Sequence, residues 1–106
     1  MGNHRSRALA AATSLALLLF AIVAAADWEK GVAAFNAKDY ATAVTEFEAV
    51  VGASPTYAGA HYMLGMAQNG LGRTSPALAS LRKAVELDGA NASYRIGLAQ
   101  VLLQGD

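Results

Sequence analysis

Residues 54–89 read SPTYAGAHYMLGMAQNGLGRTSPALASLRKAVELDG, two stretches with apolar residues at helical spacing and a turn between them. Ser54-Pro55 opens the first stretch, with Ser as the cap and Pro in the first turn, where its missing N–H costs nothing. Asn69-Gly70-Leu71-Gly72 closes it. The second starts near Thr74-Ser75-Pro76, runs to Leu87 and is broken by Asp88-Gly89. Upstream, Asp39 caps a helix whose stripe is Tyr40, Ala43, Val44, Phe47, Val50 and Val51, and Gly52 is read as its stop. Further back, Trp28, Val32 and Phe35 stand at helical spacing between about Asp27 and Ala37. Downstream, Asn91 caps a segment that reaches about Gln104. No stretch alternates with period two for long enough to form a strand. The spacing predicts an all-α domain of five helices after residue 26.

These segments repeat. A shift of about 34 residues, the length of one two-helix unit, lays Gly31 on Gly65, Ala33 on Ala67, Ala43 on Ala77, Phe47 on Leu81, Val51 on Val85 and Pro55 on Gly89. The same shift lays Tyr62 on Ile96, Leu64 on Leu98 and Gly65 on Ala99. A period of this length built from two helices resembles the tetratricopeptide repeat. The first unit supplies Gly31, Lys38-Asp39-Tyr40, Ala43, Phe47 and Pro55. The second supplies Leu64-Gly65, Leu71-Gly72-Arg73, Ala77, Leu81, Ala84 and Leu87-Asp88, and the third Leu98-Ala99. Three positions depart from the family pattern: Lys30 stands where it prefers Leu, His61 where it often has Trp, and Gly89 in place of the closing Pro. The resemblance covers residues 27–106 as units 27–57, 58–91 and a partial 92–106, and implies a right-handed α-solenoid of antiparallel hairpins.

Packing explains the same positions. Gly31, Gly65, Ala43 and Ala77 are small because paired helices must approach to within about 8–10 Å. Phe47 and Leu81 are expected to fill the wedge towards the next hairpin. One hairpin cannot bury its own stripe, so stacking is what makes such an array fold.

The beginning of the chain reads differently. Met1 to Arg7 carries Arg5, Arg7 and His4 and no acid; Ala8 to Ala26 is a run of 19 uncharged residues ending in Ala24-Ala25-Ala26 before Asp27. A basic start, an apolar centre and an A-x-A site are the marks of a secretory signal cleaved after residue 26. The small side chains suit a peptidase that grips an extended backbone. The same run is about long enough to span a bilayer as a retained anchor, and only then is a membrane a partner. Met1-Gly2-Asn3-His4-Arg5-Ser6 also fits a myristoylation pattern, but an export signal directly behind it routes the chain away from cytosolic acylation. The expected location is outside the cytosol, in the periplasm or beyond the cell, with a bacterial envelope favoured.

Residues 27–106 hold six Lys/Arg and eight Asp/Glu. This balance does not suit binding a nucleic-acid backbone through counterion release. The chain has no Cys, which excludes a disulfide framework, a thiolate metal site and a lipid attached to Cys.

Catalytic chemistry finds little to work with, and no cofactor or metal site is expected. His61 is the single His after residue 26, and it falls on an inter-helix face where a packed, structural His is the ordinary reading. Glu46 and Glu48, two apart on a helix, point to different sides and make no carboxylate pair. Ser75 and Ser80 have no His to activate them. Gly70-x-Gly72 follows a helix rather than a strand and is a turn, not a phosphate loop.

Binding has more support. The resemblance implies that the first helix of each unit lines a concave surface: Trp28, Val32, Phe35 and Asn36, then Tyr62, Met63, Met66 and Asn69, then Ser93, Ile96 and Gln100. That lining is aromatic, thioether and amide, with almost no charge. It suits an apolar helix or extended peptide from another protein. It lacks the basic residues of the family's carboxylate clamps. The bland reading of Trp28 and Phe35 is that they cap the first end of the core. If Tyr62 and Met66, one turn apart, line that surface, they are exposed in the free protein; if they are core residues, truncating them leaves a cavity.

Gln104-Gly105-Asp106 reads as a turn towards a further helix, leaving Leu98 and Leu102 without a polar cap. Either the chain continues in a longer protein, or this end pairs with a partner or a second copy. Two rival readings follow: a docking module of a larger enzyme, and a membrane-anchored envelope assembly factor.

Overall fold

The computed structural model describes residues 3–105; for residues 3–14, 20, 21 and 23 only the backbone is described. Its helices are α1 (Asn3–Asn36), α2 (Tyr40–Ala53), α3 (Ala58–Gly70), α4 (Thr74–Leu87) and α5 (Ala92–Gln104). No strand occurs among the described residues. Successive helices pack on one another, and α3 also touches both α1 and α5. This is the contact order of stacked hairpins, α1–α2 and α3–α4, with α5 as the first helix of a third unit.

Helix ends follow local chemistry. Asp39 accepts a hydrogen bond from the Thr42 N–H at 3.2 Å. Thr42, through its side chain and its backbone N–H, lowers the Asp39 carboxyl from its ordinary value. The Asn91 side chain accepts from Ser93 N–H at 3.0 Å and Tyr94 N–H at 3.4 Å. Both are N-caps, satisfying donors the helix leaves orphaned.

Three boundaries differ from the sequence reading. Gly52 does not stop α2, which runs on to Ala53. A glycine ends a helix only where the backbone turns left-handed, and Gly52 does not. Ser54-Pro55 does not open α3: Ser54 is the C-cap of α2, at φ −136° and ψ 76°, outside the helical region that a following proline disfavours. The Ser54 carbonyl then accepts from Tyr57 N–H at 3.0 Å, and α3 begins at Ala58 with Tyr57 before it. Finally, α1 is not confined to Asp27–Ala37 but is continuous from Asn3, passing through Ala24–Ala26. Met1 and Gly2, where the myristoylation pattern falls, lie outside the described residues, as do the side chains of Met1 to Arg7. Among the described residues no helix is long and apolar enough to cross a membrane; most side chains of the Ala8–Ala26 run lie outside them.

The core has two centres. Ala43, Val44, Phe47, Leu64 and Ala67 form one, flanked by Trp28, Val32, Phe35 and Met63. Ala77, Leu81 and Val101 form the other, flanked by Tyr62, Met66, Leu78 and Leu98. The repeat positions explain how the helices close. A Cβ on Gly31 would lie 2.6 Å from the Phe47 ring, and one on Gly65 would lie 2.7 Å from Leu81 Cγ. Phe47 and Leu81 therefore fill the seam inside their own hairpins. Both also reach the next unit, Phe47 through the cluster it shares with Leu64 and Ala67, and Leu81 through the cluster it shares with Val101.

Candidate binding surface

Helices α1, α3 and α5 are neighbours, while α2 and α4 pack behind them. Fully buried Ala43, Ala77 and Ala84 hold α2 and α4 close, so the side chains of the first helices must point into a seam or into the open. The eleven residues expected to line the surface divide accordingly.

In the first unit, Trp28 is half-buried, its ring 5.4 Å from Phe47 and 5.2 Å from Tyr57. Val32 and Phe35 pack on the first core centre, and Phe35 meets Tyr40 edge-on at 5.5 Å. Asn36 is exposed. In the second unit, Met63 packs on the first centre and Asn69 is half-buried. Tyr62 and Met66 are not free side chains: both are half-buried against the second centre. This corrects the expectation that they stand exposed. The cause is Gly97, which brings α5 so close that a Cβ there would lie 2.8 Å from the Tyr62 ring and 3.5 Å from Met66 Sδ. In the third unit Ser93, Ile96 and Gln100 are exposed, Ile96 by 56%.

Two aromatic residues on this side escaped the sequence reading. Tyr57 is 44% exposed and packs on Trp28 with the two rings tilted by 50°. Tyr94 is half-buried, with its ring 5.0 Å from Tyr62. Burial pushes the Tyr94 hydroxyl up from its ordinary value, reinforced by Asp88 and by the neighbouring Tyr57 and Tyr62. Comparison of one unit with the next hides both, because Tyr57 falls on Asn91 and Tyr94 on Ala60.

The polar groups inside the fold are committed to structure. His61 is 9% exposed, and its Nε2–H donates to the Pro55 carbonyl at 2.7 Å. Ser80 donates to Gln68 Oε1 at 2.7 Å, both buried between α3 and α4; neither residue recurs in the adjoining unit, so nothing in the spacing marks the pair. Among the described residues no group of three His, Asp or Glu side chains could hold a metal ion.

A family model described as tetratricopeptide repeat matches residues 34–101. Two solved structures are similar along most of the chain. One is the RS-1 MamA double mutant ArsTM, with 30% identity and a TM-score of 0.77 over 88% of this chain. The other is MamA from residue 41 to its end, from Desulfovibrio magneticus RS-1, with 29% identity and a TM-score of 0.77 over 93% of this chain. The chain spans 56% and 60% of the length of those two proteins. Comparison with the curated proteins gives no match.

Proposed function

The chain belongs to the tetratricopeptide repeat family, a family of protein-interaction modules, and from that premise we propose that it is an exported adaptor that holds a peptide or protein segment across α1, α3 and α5. The observation that carries this reading is the character of the exposed and half-exposed residues on those three helices. Tyr62 and Met66 lie half-open beside α5, and Ser93, Ile96 and Gln100 are exposed on it. Apolar and amide groups of this kind bury a partner's side chains and satisfy a few of its backbone groups. They offer no acid–base pair, and the single His of the repeat region is held by Pro55. The role is binding, not catalysis.

The export half of the proposal rests on the basic start and the Ala24-x-Ala26 site. Because α1 is helical through that site and a signal peptidase needs an extended backbone, cleavage would precede folding of α1. The mature protein would then begin at Asp27, which N-terminal sequencing of the product reads directly. An intact Met1 on a cytosolic product would sink the compartment assignment.

The binding surface is tested by placing a photo-crosslinking residue at Ile96 and, separately, at Arg82, an exposed position on α4. Crosslinks in cells are expected from Ile96 and not from Arg82. The reverse pattern would move the binding surface to the other layer.

A further inference from the structure

We propose that Trp28, Tyr57, Tyr94 and Tyr62 form an aromatic row that receives an arginine side chain of the bound segment. This deepens the adaptor reading and rests on it. The row is built from two ring pairs. Trp28 and Tyr57 lie 5.2 Å apart and Tyr94 and Tyr62 lie 5.0 Å apart, centroid to centroid. The two pairs meet over the first turn of α3 at Gly59. A Cβ on Gly59 would lie 3.1 Å from the Tyr57 ring and 3.3 Å from the Tyr94 hydroxyl. Gly59 therefore lets rings from two different units close over one patch of backbone.

The charge pattern selects the occupant. Tyr57 is 44% exposed and Trp28, Tyr62 and Tyr94 are half-buried, and Asp88, exposed at the end of α4, is the carboxylate whose charge bears on Tyr94. Arg95 follows Tyr94 and is exposed, one repeat after His61, and it is not among the groups whose charge acts on the Tyr94 hydroxyl. Electron-rich faces beside a carboxylate complement a cation. A guanidinium is favoured over an ammonium because it is planar, weakly hydrated and stacks on rings while still donating to a carboxylate.

Trp28 is the single Trp of the chain and reports on the row directly. The full chain is titrated with a short blocked Gly/Ser peptide carrying a pair of arginines, and with the same peptide carrying citrulline, lysine or proline at those places. A saturable change in Trp28 emission is expected with arginine, and binding roughly ten-fold weaker with citrulline. Asp88→Asn and Tyr57→Ala should each weaken arginine binding about five-fold. Glu48→Gln, which removes the same charge from an exposed site on α2, should leave it unchanged. Asp88→Asn alters an exposed carboxylate and carries the test even if Tyr57→Ala disturbs folding. The proposal is overturned by equal affinity for citrulline, by tightest binding of the proline peptide, by an equal loss from Glu48→Gln, or by no change in emission. Crosslinking from Ile96 would survive any of those results, so the adaptor reading and the arginine site fail separately.

Discussion

Lys38 and Gly72, at equivalent places in successive units, end their helices in the same left-handed conformation, at φ 60° and 75°. The hydrogen bonds around them correspond one for one. Lys38 N–H donates to Phe35 O at 2.9 Å and Asp39 N–H to Ala34 O at 2.8 Å; Gly72 N–H donates to Asn69 O at 2.9 Å and Arg73 N–H to Gln68 O at 3.0 Å. Both ends are Schellman caps. One uses the residue the geometry favours and the other carries a Cβ at a cost of about 1–2 kcal/mol.

That pairing sets the first prediction. Lys38→Gly should be neutral or stabilising by up to about 1 kcal/mol, the relief of the left-handed Cβ being partly offset by a more flexible unfolded chain. Gly72→Ala should destabilise by about 1 kcal/mol. Urea denaturation midpoints of the two variants check this. A loss of stability in Lys38→Gly would mean that the lysine side chain contributes more than its backbone strain costs.

The hairpin seams give the second. Gly31→Ala puts a Cβ 2.6 Å from a fully buried Phe47 ring, and Gly65→Ala puts one 2.7 Å from Leu81 Cγ and 3.1 Å from the Ala77 carbonyl. Neither neighbour can move without opening the seam. Each substitution should cost about 1–3 kcal/mol through overpacking, whereas Gly52→Ala, with nothing within 4 Å, should be stabilising by up to about 1 kcal/mol through helix propensity. Thermal melts of the three variants test the ranking.

How far the sequence disclosed this molecule depends on whether a feature repeats. Gly31 and Gly65, Ala43 and Ala77, and Phe47 and Leu81 recur from unit to unit because every hairpin must solve the same packing problem, and the fold follows from them. The caps at Asp39 and Asn91 were legible because capping is decided within a single turn. The start of α3 was not. Ser54-Pro55 carries a valid helix-opening signal, but the same residues must also end α2, and Pro55 forces the ending to win. The surface was legible only in part. That Tyr62 and Met66 sit on the inner helix follows from the repeat, but their partial burial depends on Gly97, which sits one unit away and matches Met63 rather than a glycine. Tyr57, Tyr94 and the Gln68–Ser80 bond occur once each and leave no periodic trace.

The Gln68–Ser80 bond gives the third prediction. Ser80→Ala should cost about 1–3 kcal/mol, because it leaves the Gln68 side chain buried with its acceptor unsatisfied. Adding Gln68→Met to that variant should recover most of the loss, since an apolar chain of similar length removes the unpaired group. A double-mutant cycle by chemical denaturation measures the coupling. Additive losses would show that the pair contributes packing and no specific bond.

The decisive measurement concerns Tyr62 and Met66. Each is half-buried against Ala77, Leu81 and Val101, so replacing both by Ala removes packing whether or not a partner binds there. The structure therefore places the expected loss of stability between that of a free surface pair and that of a core residue, at about 1–3 kcal/mol. Phe47→Ala is the reference: its ring is fully buried and its loss should cost about 3–5 kcal/mol. Under conditions where the Tyr62/Met66 double variant is still folded, partner binding should weaken by a further 1–3 kcal/mol, roughly ten- to a hundred-fold, as for anchors at an interface. Ile96→Ala separates the two contributions, since a side chain 56% exposed should change stability by less than about 1 kcal/mol while still weakening binding. If the double variant unfolds as readily as Phe47→Ala, and Ile96→Ala leaves binding intact, these side chains belong to the α3–α5 seam alone and the partner is held elsewhere.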